Sequence, residues 1–158
     1  MQIPQSGLMI YMKIAIGSDH AGFELKSSIV ELLKELNHDF KDFGAFSQEQ
    51  CDYPDFALKV AEAISNGEFQ RGILICSTGI GMSITANKIK GVRAALCYNK
   101  ETARQSREHN DSNILVLGSH HIDLETAEEI VKVWLNTNFS NDERHIRRIN
   151  KIKEIENR

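Results

Sequence analysis

Short apolar runs alternate along this chain with longer stretches that place an apolar residue at every third or fourth position, a pattern that predicts strands and helices in turn. KIAIGS (13–18) is a short apolar strand, and Gly22 to Leu36 carries Phe23, Leu25, Ile29, Leu32, Leu33 and Leu36 at helical spacing. HDFKDFG (38–44) alternates as a half-exposed strand. Pro54 suits the first turn of a helix that runs through Val60 and Ile64 to a stop at Asn66 and Gly67. GILIC (72–76) is the third strand, the stretch after Gly79 the third helix, and VRAALC (92–97) the fourth strand. Lys100 to His109 predicts a helix, NILVLG (113–118) a fifth strand, and Leu124 to Leu135 a further helix. Strands alternating with helices imply an α/β fold, a five-stranded parallel sheet covered by helices.

The tail NDERHIRRINKIKEIENR breaks the alternation, because one long polar helix with Ile146, Ile149, Ile152 and Ile155 is followed by no strand. So narrow a stripe drifts around a helix and buries little by itself, which suits a helix laid against a second subunit. At the other end, Met12 immediately precedes the first strand, so residues 1–11 are expected to be a variable or disordered N-terminal extension and residues 12–158 a single domain.

Composition narrows the function classes. A net charge of -3, from 19 basic and 22 acidic residues, gives no field of the kind that draws a protein onto nucleic acid or anionic lipid. No apolar run approaches the roughly 20 residues of a membrane-spanning helix. Cys51, Cys76 and Cys97 are odd in number and far apart, with no CxxC pair, so a reducing, cytoplasmic setting is expected.

Ligands of open parallel sheets bind outside the carboxyl ends of the strands. Those ends carry GSDHAG (17–22), CSTGIGMS (76–83), CYNKE (97–101) and GSHH (118–121). In the second of these, Ser77, Thr78, Gly79, Ile80 and Gly81 can turn successive backbone N–H groups toward one point, and the following helix aims its positive end there. A cysteine beside such a terminus ionises more readily than a free one, so Cys76 reads as a base or nucleophile; it reads equally as a buried, inert cysteine. Asp19 and His20 could bind hydroxyls or move protons, or Asp19 could cap the next helix and His20 lie on the surface. His109, in REHND (107–111), ends a helix, where the dipole favours its charge. Arg144 and Arg148 stand one turn apart, a spacing that suits gripping one phosphate or a solvated face. STGIGMS is not a dinucleotide fingerprint, which would need glycine in place of Ile84. His120 and His121 have no partner at ligand spacing, so no metal and no other cofactor is expected.

With GSDHAG, DYPDFA, CSTGIGMSITANK, GVRAALC, REHNDSNILVLG and RHIRR in this order, residues 12 to about 155 resemble the type B ribose-5-phosphate isomerases of the wider ribose/galactose isomerase family. The resemblance implies a Rossmann-like three-layer α/β/α sandwich. It further implies a homodimer or tetramer with active sites near the subunit boundary, and metal-free interconversion of ribose 5-phosphate and ribulose 5-phosphate. Residue by residue, it implies Cys76 as the proton-abstracting base, Thr78 as a helper on the sugar oxygens and His109 as the ring opener. Asp19, His20, Ser77 to Gly81 and Asn110 become sugar contacts, Tyr53 a wall of the pocket, and Arg144 and Arg148 phosphate ligands reaching a neighbouring subunit. One departure stands out: His120 follows the GS of the fifth strand where many members carry arginine. Galactose 6-phosphate and allose 6-phosphate remain alternative substrates, and a non-catalytic sugar-phosphate sensor is the reading from another class.

Overall fold

The structure, a computed structural model, describes residues 12–158; the N-terminal extension expected over residues 1–11 lies outside the described residues. Five strands, β1 (Lys13–Ser18), β2 (Asp39–Asp42), β3 (Arg71–Cys76), β4 (Ala94–Leu96) and β5 (Ile114–Gly118), form one parallel sheet in the order β2-β1-β3-β5-β4. The helices are α1 (Phe23–Glu35), α2 (Tyr53–Ser65), α3 (Ile80–Ala86), α4 (Lys100–Asn110), α5 (Leu124–Asn136) and α6 (Glu143–Glu156).

The three layers follow from the two-residue period of the strands. Ile14, Ile16, Ile73, Ile75, Leu115 and Leu117 point to one face, where Ile29 and Leu32 of α1, Ala103 of α4 and Trp134 of α5 cover them. Ala15, Leu74 and Val116 point to the other, against Val60 of α2 and Met82 of α3. Because both faces are covered, the central strands are continuously apolar rather than alternating. Each wholly buried aliphatic side chain contributes about 1.5–3 kcal/mol relative to exposure.

Boundaries differ from the sequence expectation at the sheet's margin. β4 pairs over only Ala94 to Leu96, because it is an edge strand with a single neighbour, β5. The tail helix is shorter than the polar run and buries only His145 and Ile149 on its own chain; Ile146, Ile152 and Ile155 are exposed. Its last turn is tied down where Gly91 N–H donates to Glu156 (3.1 Å). A groove of ≈ 660 Å³ separates α6 from the β4 edge, lined by Arg93, Asn110, Ile152 and Ile155, well away from Cys76.

One buried charge shapes the rim. The ammonium of Lys26, 1% exposed on α1, pairs with Asp42 (2.8 Å) and donates to the Ala45 carbonyl. Burial of a lysine is tolerable only with such partners, and the pair fastens α1 to the segment leading toward Cys51 and Tyr53.

Candidate active site

At the carboxyl edge, β3 ends in Cys76, which is 4% exposed and in register with Gly118 of β5. The chain then turns through Gly79, whose φ of +80° is the left-handed conformation that glycine adopts without steric cost. The turn brings Gly79 N–H back to within 3.1 Å of the Cys76 sulfur, to which it donates. Ile80 N–H donates to Thr78 Oγ1 (3.1 Å), which leaves the Thr78 hydroxyl proton free for an acceptor in the pocket. The expected cradle of free N–H groups is therefore partly spent within the loop. Behind it, Cys76 and Ser77 carbonyls accept from Ser119 N–H (2.8 Å) and His120 N–H (3.0 Å).

The end of β1 closes one side. Asp19 is buried, and its Oδ1 accepts from Gly22 N–H (3.0 Å), so the capping role open in the sequence occupies one carboxylate oxygen. Its own N–H donates to Ile75 O (3.2 Å), which locks this loop to β3. His20 Nδ1 accepts from Cys51 N–H (3.2 Å), and that bond places the ring proton of the neutral imidazole on Nε2. Tyr53, at the start of α2, lies over Gly81, its hydroxyl oxygen 2.9 Å from where a Cβ would stand there. Asp19, His20, Tyr53, Cys76, Thr78 and the Ser77 to Gly81 loop thus share one edge.

His109 and Asn110 do not join them. The resemblance implied that both serve the sugar site, but a helix between parallel strands must return the chain to the start of the next strand. The α4 terminus therefore lies at the amino edge, where the Arg93 guanidinium donates to Asn110 O (2.9 Å) and Asp111 O, and Gly72 pairs with Ile114. Four strand residues separate this level from Cys76, about 13 Å of rise. The turn is set by Arg107, 2% exposed, which donates to Asp111 Oδ1 (2.8 Å), Ser112 O and Thr137 O.

His109 instead stacks on His145 of α6, ring centroids 4.4 Å apart and planes at 16°. Arg144 and Arg148 flank His145 in the chain; both are exposed and make no hydrogen bond or ion pair among the described residues. Burial, then the positive charge of His109, Arg144 and Arg148 against the single opposing Asp142, holds the His145 imidazole below the ordinary 6.5. The sequence reading missed His145, though it lies within the RHIRR motif, and missed Cys51, whose contribution to His20 comes from its backbone. Among the described residues no group of three His, Cys, Asp or Glu side chains is arranged to hold a metal, and no helix is long and apolar enough to cross a membrane.

A model of the Ribose/Galactose Isomerase family matches residues 14–152. Ribose-5-phosphate isomerase B of Escherichia coli is 47% identical over 146 residues, covering 92% of this chain and 97% of that protein. A D-erythrulose-4-phosphate isomerase of Pectobacterium atrosepticum is 41% identical over 81% of this chain and 85% of its own length. Among solved structures, ribose-5-phosphate isomerase B of Clostridium thermocellum superposes with a TM-score of 0.91 at 53% identity, covering 92% of this chain and 98% of that one.

Proposed function

The chain belongs to the ribose/galactose isomerase family, and from that premise we propose that it interconverts ribose 5-phosphate and ribulose 5-phosphate in a site shared by two copies of the chain, with Cys76 as the base. The observation that carries this reading is the Gly79 N–H on the Cys76 sulfur at the carboxyl edge of the sheet.

Isomerisation moves a carbonyl between C1 and C2 and needs a base for the C2 proton, donors for the enediolate oxygens and a separate phosphate anchor. The Cys76 thiolate takes the C2 proton, the C2–H bonding pair becomes the C1–C2 double bond of a cis-enediolate as the carbonyl pair moves onto O1, and the thiol then returns the proton to C1 while the O2 hydroxyl proton passes to O1 and C2 becomes the carbonyl. The free Thr78 hydroxyl proton and His20 Nε2–H donate to the oxygens as negative charge grows on them. Asp19 and Asn110 bind sugar hydroxyls, and Tyr53 walls the pocket.

His109 and Asn110 end α4 at the amino edge, about 13 Å of strand rise from their own chain's sulfur, and Arg144 and Arg148 stand on the helix that His109 stacks against, so on this reading all four act in a second copy's site. There His109 opens the furanose ring by passing a proton from the C1 hydroxyl to the ring oxygen, and the two arginines hold the phosphate. The working unit is a homodimer or a tetramer of such pairs, placed in the cytoplasm, and the chemistry needs neither metal nor organic cofactor.

The test is a panel of four-, five- and six-carbon aldose phosphates assayed with and without EDTA. Highest kcat/KM on ribose 5-phosphate, unchanged by EDTA, is the expected result. Preference for a four-carbon substrate would move the chain toward its 41% identical relative, and turnover of none would leave the sensor reading.

A further inference from the structure

The Thr78–Gly79 peptide is a single planar unit with its C=O and N–H pointing in opposite directions. Its N–H meets the Cys76 sulfur at 3.1 Å, and on the far side its carbonyl accepts from the Tyr98 hydroxyl at 2.7 Å. We infer that Tyr98 is a positioning residue for Cys76: its hydroxyl fixes the orientation of this one peptide and so aims the N–H at the sulfur. The inference rests on the reading of Cys76 as the base only for its effect on turnover.

Glycine on the C-terminal side of this peptide is the reason such a device is needed. Gly79 holds φ = +80°, but glycine occupies negative φ as readily, so a flip of the Thr78–Gly79 plane is open to this backbone. The flip would turn the carbonyl oxygen toward the thiolate in place of the N–H. A hydroxyl donor on the carbonyl favours one orientation and polarises the amide, which strengthens the bond its N–H makes on the other side.

Tyr98 is exposed, yet its place against the Thr78 carbonyl is closely defined. A Cβ at Gly118 would collide with the Thr78 carbonyl oxygen and stand 3.1 Å from the Tyr98 ring, so carbonyl and ring both lie against a bare Cα. Tyr98 is itself held on both sides. Cys97 N–H donates to Val116 O (3.1 Å), continuing the β4–β5 pairing to the residue before it, and the Asn99 side chain after it caps α4 through Thr102 N–H (2.8 Å). The ring meets His121 edge-on at 5.7 Å between centroids.

The test is Tyr98→Phe, which keeps the ring and removes the donor. Alkylation of Cys76 by iodoacetamide, followed by peptide mass spectrometry from mildly acidic to mildly alkaline pH, reads the thiolate without any substrate. Asp19, His20, Tyr53, Cys97, His120 and His121, titratable groups at this edge, are unchanged in the variant, as are Lys100 and Glu101 at the start of α4. The expected result is an alkylation profile displaced to higher pH, with Cys76 reacting roughly three- to tenfold more slowly at neutral pH, a part of what one charge-assisted hydrogen bond contributes. Turnover should fall by a similar factor with KM nearly unchanged. Gly118→Ala, whose Cβ would press on the same carbonyl, should displace the profile the same way, and His121→Ala, which removes the edge-on ring together with its imidazole, should not. A Tyr98→Phe profile superimposed on that of the parent protein overturns the inference, as does an equal displacement by His121→Ala. A displaced profile with unchanged turnover upholds the positioning role and removes Cys76 as the base.

Discussion

The two edges of the sheet are built on different principles. At the carboxyl edge four groups in and around Cys76 are each held by a backbone donor: Gly79 N–H on the sulfur, Ile80 N–H on Thr78, Gly22 N–H on Asp19 and Cys51 N–H on His20. At the amino edge the candidate groups are side chains on helices, one stacked histidine pair and two long, exposed arginines with no protein partner among the described residues. Reacting atoms demand placement to within about half an ångström, which fixed backbone supplies. A phosphate is gripped through charge, and flexible arms free to reach into another molecule suit that task.

This contrast is most sharply tested by removing one member of each half. Cys76→Ala should abolish detectable isomerisation, a loss of at least about 10²–10⁴-fold, while sugar-phosphate binding measured by calorimetry persists. Near-normal turnover would assign the proton transfer elsewhere. Mixing inactive Cys76→Ala chains with inactive Arg144→Ala/Arg148→Ala chains asks whether the halves meet across copies. Hybrid dimers then hold one site with both defects and one with neither, and activity should recover toward about a quarter of wild type after random exchange. No recovery despite hybrids seen by native mass spectrometry would confine each site to one chain.

Single changes on the arginine side should act on affinity. Arg148→Ala should raise KM by roughly ten- to a hundredfold with a smaller change in kcat, in line with the 1.5–3 kcal/mol of a charged hydrogen bond. His109→Asn should slow conversion of the cyclic aldose more than the reverse reaction, because ribulose 5-phosphate has its C5 oxygen blocked and cannot close a five-membered ring. Equal losses in both directions, measured at low substrate, would count against ring opening.

The smallest expected effect concerns the histidine stack. The folded state holds His145 below 6.5, so the unfolded chain binds that proton more readily. The contribution to stability is complete above pH 6.5 and declines as pH falls below it. Thermal unfolding midpoints should therefore drop modestly on acidification, and the His145→Gln variant should lose that part of the slope.

The order of strands and helices was legible in the sequence because apolar period and cap residues are local signals, from KIAIGS through the Asn66–Gly67 stop. The Cys76 loop was legible too, since its glycines mark the turn. The placement of His109 was not: REHND ends a helix and CSTGIGMS follows a strand, both with chemistry in them, and only the direction of α4 between β4 and β5 decides which edge REHND occupies. Tyr98 escaped notice for a related reason. It stands just past the carboxyl end of β4 within CYNKE, a segment recognised as part of the edge, yet its partner is a main-chain carbonyl, and side-chain patterns are silent about those.

The distance between Cys76 and His109 within one chain has a kinetic meaning. If catalysis belongs only to paired copies, each chain serves as both enzyme and obligatory activator of its twin, and at high dilution specific activity should fall with protein concentration. Total rate would then approach a second-order dependence on protein. Synthesis of the first few chains would yield almost no turnover, and the flux they support would switch on over a narrow range of abundance set by the affinity of one chain for another.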